Sequence, residues 1–252
     1  MDLNLLFTDL DTTAWTLALA AAFVQGFSKA GIKGTAVLSV TLLALALGAR
    51  QSTGLLVPIL IVGDIFAVIY YHRHAQWSYI LRFLPWMVAG ILIGVWYGRD
   101  LPEAAFSWAM AAIIIWSVAV MAWWDIRRSE RVPGHWAFGG FVGILAGFTT
   151  MVGNLAGAFS NIYFLAMRLP KKEFIGTAAW LFLIINVFKL PFHIFVWKTI
   201  DAEVLKISAA LLPGLALGLW IGIVLVKRIR EAFFRRLILV LTALGAVLIL
   251  LK

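Results

Sequence analysis

Apolar residues fill long stretches of the chain, at about Ala14 to Phe27, Gly34 to Leu47, Leu55 to Tyr71, Ile80 to Tyr97 and Ala104 to Trp124. After the polar connection DIRRSERVPGH they resume at about Trp136 to Phe148, Gly157 to Leu169, Phe174 to Trp197, Val204 to Val226 and Phe233 to Leu251. Helices of roughly 20 apolar residues cross the hydrocarbon layer of a bilayer, so the pattern predicts an all-α integral membrane protein. In each half the first two runs fall short of that length and are separated by a glycine-rich break, GFSKAGIKG or GFTTMVGNLAG. Each pair reads as one broken or re-entrant helix. The first repeat is therefore placed at residues 1–126, with a broken helix over 14–47 and helices over 55–71, 80–97 and 104–124. A cytoplasmic connection over 127–135 leads to the second repeat at 136–252, with a broken helix over 136–169 and helices over 174–197, 204–226 and 233–251.

Two short passes return the chain to the side on which it started. Each repeat of four membrane helices then crosses a net three times, and an odd number turns the second repeat upside down, which makes an inverted-topology pair. Residue spacing recurs as well: Pro85, Gly90 and Gly94 are spaced like Pro213, Gly218 and Gly222, and Gly54 precedes Asp64 as Gly176 precedes Asn186. Small residues let helices approach closely, so these glycines alone imply packing and their recurrence implies duplication. Trp77, Trp108, Trp123, Trp124, Trp136 and Trp197 near run ends suit an interfacial belt, while Trp116 and Trp220 fit packing or a lipid-facing surface.

Composition removes whole classes of function. The chain is 63% hydrophobic and only 13% charged, against roughly 45–50% and about 25% in soluble domains, so too few charges remain to coat a globular surface. No length is left for a soluble catalytic domain, and function must lie in the bilayer. The formal charge of +9 would point to nucleic acid in a soluble protein, but membrane proteins gather basic residues in cytoplasmic loops. With the N-terminus outside, inside connections hold Arg73, Arg82, Arg127, Arg128, Arg131, Arg168, Lys171, Lys172, Lys227, Arg228, Arg230, Arg235 and Arg236. Outside lie Arg50, Arg99, Lys198, Lys206 and Lys252, and Lys29, Lys33 and Lys189 fall at membrane depth. This excess supports the parity and puts both termini on the periplasmic side. Asp2, Asp9 and Asp11 precede the first run without a basic residue, unlike a signal peptide, so that segment is expected to stay.

With no cysteine, disulfides, thiolate metal sites and thiol catalysis are excluded. G-x-S-x-G, H-E-x-x-H and P-loop patterns are absent, so the chain is not expected to be an enzyme. His72 and His74 read as solvated loop residues, and His193 receives no role. Ionised side chains in hydrocarbon cost roughly 2.5–3.5 kcal/mol on insertion scales, so Lys29, Lys33, Asp64 and Lys189 each need a reason. Lys29 and Lys33 occupy the first break with Ser28, Gly31, Gly34 and Thr35, where unwound backbone and a helix N-terminus offer free N–H groups to an anion. The second break supplies Thr149, Thr150, Asn154, Ser160 and Asn161 without charge. Together they describe a small-anion pocket with Lys29 and Lys33 as charge partners, Ser28, Gly31 and Gly34 beside them, and Asn154 and Asn161 completing it. Alternatively the lysines snorkel to a shallow interface and the neutral groups only cap broken helices. Asp64 must be paired or protonated, and Lys189, three residues after Asn186, is a candidate to neutralise it, as a static pair or as part of ion coupling.

GFSKAGIKG, ARQSTGLLVPILIVGDIFAVIYY, LPWMVAGILIG, GFTTMVGNLAG, LPKKEFIGTAAWLFLIINVFKLPF and LLPGLALGLWIG, in this order over nearly the whole chain, resemble the TauE/SafE sulfite exporter family. The resemblance implies a secondary transporter of the bacterial inner membrane, built of two repeats of four helices whose first member is broken. It implies sulfite, organosulfonates such as sulfoacetate, or related small anions as substrates. Where that family commonly has a Gly-Gly-Gly run in each break, this chain reads G-I-K-G and V-G-N-L-A-G, so Lys33 and Asn154 would reshape the pocket. The reading is alternating access, with a passive small-anion channel as the alternative and a purely structural membrane protein as a third. The partners expected are the anion and the lipid bilayer, not nucleic acid, with the oligomeric state open. No cofactor is expected beyond a coupling ion such as a proton.

Overall fold

The computed structural model describes residues 11–31, 34–127, 136–167 and 169–225. Lys33, most of the connection over 127–135 and the helix expected over 233–251 lie outside the described residues. Within them all regular structure is helical: α1 (Thr12–Lys29), α2 (Thr35–Leu47), α3 (Ala49–Tyr71), α4 (Trp77–Arg99), α5 (Glu103–Arg127), α6 (Trp136–Gly153), α7 (Ala156–Ala166), α8 (Lys171–Pro191) and α9 (Ala202–Leu225). A short 3-10 turn, His72–His74, joins α3 to α4, and a wide turn, Phe192–Val196, extends α8. Among the described residues five segments are long and apolar enough to cross a membrane: Ala49–Tyr71, Trp77–Arg99, Glu103–Val120, Glu173–Val196 and Ala202–Val224.

The breaks follow from local chemistry. Asp11 caps α1 by accepting the Ala14 N–H at 2.7 Å, and the helix stops where Gly31 and Gly34 take positive φ of 100° and 91°, a region that side chains with a β-carbon avoid. The 13 residues of α2 reach only about 20 Å at 1.5 Å per residue, short of a roughly 30 Å hydrocarbon layer. The returning helix packs against α1, tied by the Ser39 hydroxyl donating to the Ala21 carbonyl at 2.8 Å. In the second half α6 ends at Asn154, whose φ of 56° turns the chain into the 11-residue α7. Asparagine tolerates that backbone better than most residues.

Between the halves, α1 packs on α9, α6 on α4 and α3 on α8. Backbones touch along two of these seams: a β-carbon on Gly218 would overlap the Phe23 carbonyl and one on Gly26 the backbone at Leu215 to Leu219, while Gly90 meets Ile144 and Gly147 meets Met87 in the same way. Gly54 lies against Thr199, beyond the turn that extends α8, and Gly176 lies against Tyr71 at the end of α3 and His74 in the turn that follows. The glycines that recur in sequence thus sit at closely matched contacts.

Two expectations are corrected. The helix expected from 55 begins at Ala49, because the Arg50 guanidinium is held by the carbonyls of Gly98 at 2.9 Å and Leu101 at 2.5 Å and lies 4.5 Å from the Phe106 ring. A polar first turn is thereby anchored. Trp197 does not face outward as a belt residue would: it is 7% exposed, donates Nε1–H to the Val95 carbonyl at 3.1 Å and packs edge-on to Phe106 and His193. By contrast Trp96, Trp108 and Trp220 are exposed, as lipid-facing side chains would be.

Candidate functional site

Both breaks open on one cavity of about 140 Å³. Its wall takes Gln25, Ser28, Lys29, Gly31 and Gly34 from the first break, Thr150, Asn154, Gly157 and Asn161 from the second, and Asp64, Phe182 and Asn186 from α3 and α8. Ala36 and Val37 at the start of α2, and Ala156 and Ala158 at the start of α7, also line it. The first turn of a helix carries N–H groups without intrahelical partners and the positive end of the helix dipole, so two such ends border one space.

On the α3 side, Asp64 is 1% exposed and pairs through Oδ1 with the Lys29 ammonium, while Oδ2 accepts from Asn186 Nδ2 at 2.5 Å. The two side chains placed ten residues after Gly54 and Gly176 therefore meet directly. Lys29 ends the last turn of α1, where a cation is favoured by the helix carbonyls, and its ammonium lies 5.6 Å from the Phe182 ring, within cation–π range.

Lys189 takes another course. It is wholly buried and donates to the Thr150 carbonyl at 3.1 Å, to the Thr150 hydroxyl at 3.2 Å and to Asn154 Oδ1. Three donors meet three acceptors, at the carbonyl end of α6, where a cation is again favoured. Asn154 in turn donates Nδ2–H to the Thr53 carbonyl at 3.1 Å, tying the second break to α3. Neutralisation of Asp64 by Lys189 is therefore not the arrangement found: Lys29 holds the carboxylate, and Lys189, a helical turn beyond Asn186, reaches the second break instead.

Of the residues singled out in the sequence, Ser28, Lys29, Gly31, Gly34, Asp64, Asn154, Asn161 and Asn186 all line the cavity. Lys189 stands behind its wall, and Lys33 lies outside the described residues. Gln25 was missed. It is 1% exposed, and its Oε1 has no hydrogen-bond partner among the described residues. Its signal in the sequence was present, one helical turn before Lys29, as the lone polar side chain in AAAFVQGF. His193, buried, pairs Nδ1 with the Thr199 hydroxyl at 2.9 Å and behaves as a packed polar residue. Among the described residues no three His, Asp or Glu side chains gather to hold a metal ion.

The set formed by Lys29, Asp64 and Lys189 carries one more formal positive charge than negative, and it is completed by amides, hydroxyls and helix N-termini. Such a site suits a small oxyanion, whose several acceptor oxygens take separate donors. No curated protein and no solved structure matches the chain. The family model described as Sulfite exporter TauE/SafE matches residues 16–249. With nearly its whole length matched, this multi-pass helical membrane protein belongs to the sulfite exporter TauE/SafE family of membrane transporters.

Proposed function

We propose that the protein is a secondary transporter that carries sulfite or an organosulfonate such as sulfoacetate across the bacterial inner membrane by alternating access, with both termini periplasmic. The observation that carries this reading is the cavity between the two breaks, with Lys29 and the first turns of two short helices in its wall. Lys29, Ser28, Gly31, Gly34, Asn154 and Asn161 bind the anion, joined by Lys33, while Asp64, Asn186 and Lys189 form the network behind it. Two inverted repeats of four membrane helices supply the moving parts. The matched seams of α1 with α9 and of α4 with α6 support that arrangement, in which one repeat rocks against the other around a fixed site.

The test is thermal stabilisation of the purified protein by sulfite, sulfoacetate, taurine, sulfate, acetate and chloride at matched ionic strength, followed by flux into proteoliposomes. A ligand at about a hundred times its dissociation constant stabilises by roughly 2.7 kcal/mol. A sulfur oxyanion should stabilise the wild type, and Lys29→Met should lose that response. Accumulation against a gradient distinguishes a transporter from a channel, which would give passive anion current alone. Equal responses to every anion, or an unimpaired Lys29→Met, would refute the site.

A further inference from the structure

Among the described residues Lys29 lines the cavity and Lys189 stands behind its wall, and their situations differ. Lys189 has each of its three donors engaged by Thr150 and Asn154 and is wholly buried, so it offers nothing to a ligand without breaking a neutral cage. Lys29 lines the cavity and is held by Asp64. An anion that uses Lys29 must therefore approach the carboxylate already there. Two negative groups sharing one cation in a poorly hydrated site repel strongly, and such pairs relieve the repulsion by keeping a proton on one member. Asp64 is built to take it. Oδ2 accepts from Asn186 whether or not the group is ionised, whereas Oδ1, once released by Lys29, is open to a proton that it could then donate to an oxygen of the substrate. The charged side chains that act on Asp64 are Lys29 from α1 and Lys189 from α8. Around them stand the neutral Asn186, Thr150, Asn154 and Gln25, and His193 lies one turn beyond Lys189, paired with Thr199.

We propose that Asp64 is the resident counter-ion of the cavity, and that an anion taking over Lys29 leaves Asp64 to accept a proton from the buffered bulk solution, so that anion and proton occupy the site together. The step balances: the Lys29–Asp64 ion pair breaks, a Lys29–anion pair forms, and one proton adds to Asp64 Oδ1. The inference rests on the reading of the cavity as an anion site and goes beyond it, because it couples each transported anion to one proton through a named carboxylate.

The experiment is calorimetric titration of sulfoacetate, whose two acid groups are both ionised near neutral pH, into the purified full-length protein in two buffers of different ionisation enthalpy. Where the free protein holds Asp64 ionised, the wild type should take up close to one proton per bound anion, and by linkage its affinity should fall tenfold per pH unit. Asp64→Asn, which preserves the shape and an acceptor for Asn186, should bind with no proton uptake and little pH dependence. Wild-type binding without proton uptake, or uptake that persists in Asp64→Asn, would overturn the proposal. If Asp64→Asn fails to fold, the wild-type series decides alone, since an affinity unchanged across neutral pH excludes the coupling. Absence of sulfoacetate binding at every pH is a different failure, in which the anion-site reading falls and this inference with it.

Discussion

Removing either member of the Lys29–Asp64 pair should injure the fold more than removing both. Asp64→Leu leaves the Lys29 ammonium beside an apolar side chain and takes the acceptor from Asn186 Nδ2. Breaking a buried pair by deleting one partner costs about 3–5 kcal/mol. The Lys29 side chain is 9% exposed and reaches the cavity, which puts the loss near the lower end, about 3 kcal/mol. Lys29→Met strands a carboxylate only 1% exposed, with a loss at least as large. In the double variant both charges are gone, and what remains is the unpaired Asn186 amide, about 1 kcal/mol. At roughly 2–4 °C per kcal/mol for a chain of this size, each single variant should melt about 6–12 °C below the wild type, and the double within a few degrees of it. Thermal unfolding followed by size-exclusion fluorescence on the four proteins completes the cycle. A double variant no more stable than the worse single would refute the argument, because the two side chains would then contribute independently rather than as a pair.

Other substitutions probe the frame around the site. Gly218→Val should force α1 and α9 apart, since even a β-carbon there overlaps the Phe23 carbonyl, and a loss of roughly 1–3 kcal/mol or more should appear as a lower melting temperature. Gly157→Ala has nothing within 4 Å of the new carbon, so stability should stay within about 0.5 kcal/mol while flux measurements report the narrowed cavity. Lys189→Met removes a donor from Thr150 and Asn154. The Thr150 carbonyl keeps the Asn154 N–H at 3.1 Å, but the buried Asn154 Oδ1 loses its donor, and a cost of about 1–3 kcal/mol should lower the melting point by several degrees; an unchanged value would mean that the cage is not structural. Trp197→Phe deletes the bond to Val95, for which a loss of about 1 kcal/mol is expected in the same assay.

Hydropathy alone determined that the chain is a helical membrane protein, because hydrocarbon leaves the backbone no other partner than itself and so ties apolar length to helix. The two breaks were equally legible, since Gly31 and Gly34 in one and the Asn154 turn in the other are local conformational facts that any tertiary setting must respect. Asp64 and Asn186 could be matched by their spacing from Gly54 and Gly176, and their side chains do meet. What the sequence could not decide was the choice among partners. It showed that Asp64 must be paired or protonated and pointed to Lys189, whereas Lys29 is the cation that reaches Oδ1, a choice that depends on how α1 and α8 lie against α3, at a scale of about one side-chain length. Lys29 and Lys189 divide the work because each lies at the carbonyl end of a broken helix, its own or another's, an arrangement that exists only once the halves have packed. Trp197 was misjudged for the same reason, its place at a run end saying nothing of the Val95 carbonyl and Phe106 ring that enclose it. A residue's chemistry says what it requires, and only the packed neighbours determine which group meets that requirement.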